Sequence, residues 1–128
     1  MHKHQRILMF LSALFGAASV SLAAVGAHAF YETLVANGQV EIFAKAVDYA
    51  MYGALALLGV VALTKCFRGR CFIVAGYLLA LGTVLFSGSL FLHTLAGIQA
   101  VTAVTPVGGT LLIVAWLYLA VSAFRLGD

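Results

Sequence analysis

The stretch that decides the fold runs from Cys71 to Leu95 and reads CFIVAGYLLALGTVLFSGSLFLHTL. It contains no Asp, Glu, Lys or Arg. About 20 apolar residues in a helix cross the ~30 Å hydrocarbon layer of a bilayer. A strand would leave its backbone hydrogen-bonding groups unsatisfied in lipid. The stretch therefore predicts a membrane-spanning helix.

Three further apolar runs of similar length cover residues 7–30, 40–64 and 105–124. In the last run, Thr105 is placed to cap the helix and Pro106 to occupy its first turn. The alternation of apolar and polar residues that is typical of a membrane β-barrel is absent from the runs. We predict an all-α integral membrane protein, a single domain over residues 1–128 that folds as a four-helix bundle.

The composition agrees with a membrane setting. Of the 128 residues, 64% are hydrophobic and 9% are charged, whereas soluble domains carry about 25% charged residues. The basic residues fall in short clusters and form no basic face, so nucleic acid is not an expected partner. The lipid bilayer is the partner that the composition indicates.

A cleaved signal peptide is the competing interpretation of the first run. Ala27-His28-Ala29 resembles the A-x-A pattern of a signal-peptidase site, and Lys3 and Arg6 precede the apolar stretch. The apolar part of a signal peptide has roughly 7–15 residues, and this run is longer. We expect the segment to be retained.

The basic residues also predict the orientation, because cytoplasmic loops of membrane proteins carry an excess of Lys and Arg. Six basic residues fall at the two termini and between the second and third runs: Lys3, Arg6, Lys65, Arg68, Arg70 and Arg125. The opposite side carries Lys45 together with acidic residues. Both termini are therefore predicted to be cytoplasmic.

Small residues recur at helical spacing in two of the runs and predict helix-packing faces. In the first run they are Ser12, Gly16, Ser19, Ala23 and Gly26; in the third they are Gly76, Ala80, Thr83 and Ser87. Small side chains let membrane helices approach closely. We interpret both faces as contacts within the bundle, with a homo-oligomer contact as the alternative.

Four ionisable residues are predicted to lie near the outer ends of the spans: His28, Lys45, Asp48 and His93. Ionisable groups inside membrane helices are costly and often functional. We expect Asp48 to face the bundle and to interact with His28, with Lys45 as the rival partner and His93 in the same polar layer. A structural role, a proton or ion pathway and a transition-metal site remain open.

The two cysteines, Cys66 and Cys71, fall in the loop that is predicted to be cytoplasmic. A structural zinc site needs about four ligands, and disulfides are rare in the cytosol. We therefore expect neither zinc nor a disulfide, and no pattern in the sequence calls for a cofactor.

Two sequence blocks carry a family resemblance. One centres on Ser87-Gly88-Ser89, and the other is Thr105-Pro106-Val107-Gly108-Gly109, with His28 as a further motif residue. On these blocks the chain resembles the domain-of-unknown-function family 423 of small membrane proteins. The resemblance implies four helices, a bacterial inner (plasma) membrane or organellar setting and no particular activity. The family often has a histidine where this chain has Gly53, so a mechanism needing that histidine is in doubt here.

We recognise no set of catalytic residues in the sequence. We expect a non-enzymatic protein that acts through helix packing, as an accessory subunit of a larger membrane complex or as a homo-oligomer. The alternative is a small oligomeric channel or carrier for a proton, ion, small solute or lipid.

Overall fold

The computed structural model describes residues 2–125, so the extreme ends of the predicted domain over 1–128 lie outside the described residues. Its helices, in chain order, are α1 (His2–Ala27), α2 (Tyr31–Ala36), α3 (Val40–Cys66), α4 (Cys71–Ala96), a short 3₁₀ helix (Ala100–Ala103) and α5 (Thr105–Ser122). Within the described part, four helical segments are long and apolar enough to cross a membrane. The predicted all-α, four-helix membrane architecture is confirmed.

The first helix differs most from its predicted bounds of 7–30. α1 begins at His2 because its polar first turn can stay helical while long basic side chains reach water at the membrane surface. It ends at Ala27, where the N–H of Phe30 donates to the carbonyl oxygen of Val25 and the chain turns into α2. This six-residue helix was not predicted.

Gly97 ends α4 in a left-handed conformation, with φ of 70°. Its N–H donates to the carbonyl oxygen of His93 at 3.2 Å, which satisfies one of the last free carbonyls of the helix. Residues with a Cβ rarely adopt this conformation. The turn at Gly97 starts the connection that brings α5 back along α4.

The four long helices pack in chain order, with α3 and α4 at the centre. α1 packs mainly on α3, and α5 packs mainly on α4. The Gln5 side chain donates to Thr64 Oγ1 at 3.0 Å, so the start of α1 lies beside the end of α3. This antiparallel order places the basic start of α1 and the basic α3–α4 loop at the same end of the bundle.

Candidate functional site

The predicted polar layer is dispersed over the surface. His28, Lys45 and Asp48 are all exposed, and within residues 2–125 none of their side chains forms a hydrogen bond or an ion pair. Asp48 was expected to face the bundle, but α3 turns Ala46 and Ala50 inward instead. Two residues along a helix correspond to about 200° of rotation, so Asp48 points to the opposite side. The predicted pairing of Asp48 with His28 or Lys45 is not formed.

His93 is the half-buried member of the four. Its Nε2 lies 3.4 Å from the side-chain amide nitrogen of Gln39, which precedes α3. The other ring nitrogen, Nδ1, is buried and has no partner in the described part of the chain. The sequence did not indicate a role for Gln39, because a single polar residue before a helix forms no recognisable pattern.

The small-residue face of α1 lies against α3. Ser12 Oγ donates to the carbonyl oxygen of Ala54 at 2.7 Å, and Ser19 Oγ donates to that of Val47 at 2.8 Å. Gly16 lies between the two serines along α1, and Gly26 lies beyond Ser19. A Cβ on Gly26 would overlap the ring of Phe43. Ala23, the fifth member of the predicted face, is exposed. The face thus joins α1 to α3 through two hydrogen bonds and close packing.

All four members of the predicted face of α4 are buried: Gly76, Ala80, Thr83 and Ser87. A Cβ on Gly76 would lie 2.6 Å from Leu8 Cδ1 of α1, so Gly76 accepts a side chain from the first helix. The hydroxyls of Thr83 and Ser87 have no hydrogen-bond partner within residues 2–125.

Gly53, the position that the sequence analysis singled out on α3, lies directly against Thr83. A Cβ on Gly53 would lie 2.8 Å from Thr83 Cγ2 and would also overlap the hydroxyl oxygen. The Thr83 side chain therefore occupies the space that a side chain at position 53 would need. A histidine there would require Thr83 to move.

The two blocks that carry the family resemblance meet where α4 and α5 cross. A Cβ on Gly108 would lie 2.8 Å from the Leu85 carbonyl carbon and the Phe86 Cα, so the two backbones touch. The hydroxyls of Ser89 and Thr105 are 2.5 Å apart and are hydrogen-bonded.

Thr105 was predicted to cap α5, but no side chain caps that helix and the Thr105 hydroxyl contacts Ser89 instead. Pro106 lies in the first turn of α5, as expected. Gly88 faces open space, and Gly109 lies beside the Phe86 ring. In this structure the blocks hold two helices together.

A groove of about 620 Å³ lies between α3 and α5, with α4 as its floor. Aromatic side chains from three helices line it: Tyr49, Tyr52, Phe86 and Trp116. The glycines Gly53 and Gly109 also border the groove. The rest of its lining is aliphatic, so the groove is an apolar cleft open at the side of the bundle.

The described residues bring no metal-binding set together. Within residues 2–125, no group of three or more His, Cys, Asp or Glu side chains is close enough to hold a metal ion. Cys66 and Cys71 are free thiols, exposed and half-buried respectively. The buried polar residues within residues 2–125 are serines and threonines.

These observations define a small α-helical integral membrane protein, in which hydroxyls and small residues join long apolar helices. Residues 22–109 match the family described as "Protein of unknown function (DUF423)", and the chain belongs to this family.

Its relatives include a UPF0382 membrane protein of Staphylococcus haemolyticus, which is 38% identical over 94% of this chain and 97% of the relative. The UPF0382 membrane protein YwdK of Bacillus subtilis is 33% identical over 94% of this chain and 98% of the relative. The UPF0382 inner membrane protein YgdD of Escherichia coli K12 is 35% identical over 94% of this chain and 92% of the relative. No solved structure matches the chain.

Proposed function

We propose that the protein is a non-enzymatic assembly component of the membrane, which acts by packing its helices against other membrane-embedded chains. The observation that carries the proposal is the use of its interior hydroxyls. Ser12, Ser19 and Ser89 form interhelical hydrogen bonds, and they do not converge on a cavity. The open groove and the outer faces of the bundle leave surface for further helices.

The experiment that tests this proposal is extraction from native membrane. A tagged chain, expressed at its natural level, is extracted with a lipid-preserving polymer, and the particle is sized and its proteins identified by mass spectrometry. The proposal expects a defined particle that contains more protein than one 13.5 kDa chain. A homogeneous particle with a single protein chain would refute it.

A lipid carrier is the second candidate, and the groove between α3 and α5 favours it. Ligand sites in proteins have volumes of about 300–1,000 Å³ and mostly apolar linings, and the groove of about 620 Å³ meets both criteria. Native mass spectrometry would detect a retained lipid. Gly109→Leu, which puts a larger side chain at the groove wall, should then lower its occupancy.

For the sidedness, we propose the inner (plasma) membrane with both termini cytoplasmic. Support comes from the antiparallel order of α1, α3, α4 and α5, which gathers six basic residues at one end of the bundle. Positive charge near span ends is retained on the cytoplasmic side.

A further inference from the structure

A groove of about 500 Å³ lies along the first turns of α1, at the basic end of the bundle. Its lining residues are, in chain order, His2, Lys3, Arg6, Ile7, Phe10 and Leu11. The first three are basic residues and the last three are apolar. The groove therefore offers positive charge at the end of the helix and hydrocarbon further along it.

The groove faces away from the other helices. Lys3 and Ser12 are nine residues apart, which is about two and a half helical turns, so they lie on opposite sides of α1. Ser12 is buried and donates to α3, whereas Lys3 and Arg6 are exposed. Phe10, about one turn beyond Arg6, is 65% exposed. A molecule in the groove would therefore contact α1 from the lipid side.

Two hydrogen bonds hold the start of α1 on the bundle. His4 Nδ1 is hydrogen-bonded to the Tyr77 hydroxyl at 2.8 Å, and the Gln5 side chain donates to Thr64 Oγ1 at 3.0 Å. These contacts fix the rotation of the helix about its axis, so the charged residues of the groove are held on the lipid side. Binding to such a prearranged site costs less ordering than binding to a flexible segment.

The length of α1 places the charges at the membrane surface. The helix has 26 residues and is therefore about 39 Å long, about 9 Å longer than the ~30 Å hydrocarbon layer. Long basic side chains in its first turns reach the headgroup layer. Phe10 lies about 6 Å further along the helix than Arg6, toward the acyl chains. A phospholipid has the same order of charge and hydrocarbon.

The acidic residues of the described part of the chain lie far from the groove. Within residues 2–125 they are Glu32, Glu41 and Asp48, all at the opposite end of the bundle. A groove of about 260 Å³ at that end has Asp48 as its charged lining residue. The two ends of the bundle thus differ in sign. The groove on α1 complements an anionic headgroup, and the groove beside Asp48 repels one.

We propose that the groove on α1, which we call the α1 basic groove, binds an anionic phospholipid. Lys3 and Arg6 bind the headgroup phosphate, and an acyl chain lies along Ile7, Phe10 and Leu11. The arginine guanidinium can donate two parallel hydrogen bonds to a phosphate. A zwitterionic phospholipid has the same chains, but its own cation opposes the attraction to the basic residues. This site is separate from the groove between α3 and α5 and does not depend on the proposed function.

A groove on α5 supplies a matched control. It has a volume of about 270 Å³, and Arg125 is its basic lining residue. Arg125→Gln lowers the net charge of the protein by one, as Arg6→Gln does, without altering the α1 basic groove. A comparison of these two variants therefore separates binding in the α1 basic groove from attraction to the net charge.

Native mass spectrometry of purified, delipidated protein tests the site. Phosphatidylglycerol and phosphatidylcholine with identical acyl chains are titrated separately. The parent chain should bind phosphatidylglycerol at least about tenfold more tightly, equal to about 1.4 kcal/mol. Arg6→Gln should weaken that binding by about fivefold and Lys3→Gln/Arg6→Gln by at least about tenfold, because each basic residue contributes attraction. Arg125→Gln should bind phosphatidylglycerol like the parent.

Two further measurements identify what is recognised. Lys3→Arg/Arg6→Lys keeps both charges and should keep the preference for phosphatidylglycerol. Glycerol 3-phosphate carries the phosphate without acyl chains and should not displace the lipid, because the apolar part of the groove holds the chains. Since the altered residues are exposed, helix content and elution on size exclusion should remain those of the parent. Measurement on purified protein removes any effect of the variants on orientation in the membrane.

Equal binding of the two lipids by the parent chain would overturn the inference. Arg6→Gln and Arg125→Gln variants that bind phosphatidylglycerol alike would also overturn it, because the α1 basic groove would then have no special role. Displacement of the lipid by glycerol 3-phosphate would show a general anion site in place of a lipid site.

Discussion

The backbone of Gly108 touches the backbone of Phe86 where α5 crosses α4. A Cβ on residue 108 would lie 2.8 Å from the Phe86 Cα, and no backbone atom can move aside as a flexible side chain can. The neighbouring Gly109 has ordinary room, since its Cβ would lie 3.6 Å from the Phe86 ring. A side chain is therefore excluded at position 108, whereas a small side chain has room at position 109.

The first prediction follows from this difference. Gly108→Ala should lower the free energy of unfolding by about 1–3 kcal/mol or more, because the two helices must separate. Gly109→Ala should leave it within about 0.5 kcal/mol of the parent, as at a position without strain. Unfolding by SDS in mixed micelles measures both. Equal effects of the two changes would contradict the close crossing.

The second prediction concerns Gly53 and Thr83. Gly53→Ala should destabilise the protein by about 1–3 kcal/mol, because its Cβ overlaps the Thr83 side chain. Thr83→Ala removes the overlapping atoms, so the double variant should cost less than the sum, with a coupling of about 0.5–3 kcal/mol. A double-mutant cycle in the same SDS assay gives this number.

Gly88→Ala is the control for that cycle. Its Cβ would meet no atom within 4 Å, and alanine is the better helix former by up to about 1 kcal/mol. The control should match or exceed the parent in stability. Strict additivity at positions 53 and 83 would show that these residues are not in contact.

The third prediction concerns the hydroxyls that join α1 to α3. Ser12→Ala and Ser19→Ala each remove one interhelical hydrogen bond. In membranes such bonds contribute about 0.6 kcal/mol on average and about 1.7 at most, and each change should cost an amount in that range. Ser21→Ala alters an exposed hydroxyl on the same helix and should cost close to nothing. If Ser21→Ala costs as much as the other two, the hydrogen bonds are not the cause.

The fourth prediction tests whether the size of the side chain at a helix contact sets the spacing of the helices. A Cβ on Gly16 would lie 3.7 Å from Ala54 Cβ, an ordinary contact, so Gly16→Ala should be tolerated. Gly16→Leu and Ala80→Leu should push helices apart and shift elution on size exclusion. Leu112→Ile conserves volume and should cost less than about 1.5 kcal/mol. Identical profiles for all four variants would mean that these positions do not determine helix spacing.

The fifth prediction is the sidedness. Cys66 and Cys71 should resist a membrane-impermeant thiol reagent in intact cells and react after lysis, because we propose that they are cytoplasmic. In a Cys66→Ser/Cys71→Ser background, Asn37→Cys should show the reverse, since the exposed Asn37 lies at the opposite end of α3. Labelling of the native cysteines before lysis would invert the proposed orientation.

The spans themselves were readable from the sequence, because length and lack of charge are sufficient to predict a membrane helix. The predicted spans 40–64 and 71–95 correspond to α3 (Val40–Cys66) and α4 (Cys71–Ala96). The sequence did not predict that the Ser87-Gly88-Ser89 and Thr105–Gly109 blocks meet where α4 and α5 cross, nor that Thr105 contacts Ser89. Short α2 has too few residues to leave a periodic signal.

The direction of Asp48 could not be read in the same way. Near the end of a membrane span, charged residues can turn toward the bundle or toward water at the membrane surface, so Glu41, Lys45 and Asp48 do not indicate which side of α3 is inward. The inward side of α3 is fixed by small residues such as Ala46 and Ala50, which accommodate their neighbours closely. The contrast between small and large apolar residues is weak in a sequence, so the polar layer was expected in the wrong place.

The packing of each long helix on its predecessor bears on how the chain is made. α3 docks on α1, α4 docks on α3, and α5 docks on α4. Each segment released into the bilayer by the insertion machinery therefore meets a partner that is already there. Contacts close in sequence form faster than distant ones. Synthesis from the N-terminus can thus add one helix at a time to the growing protein. No early helix depends on the last helix for its main packing partner.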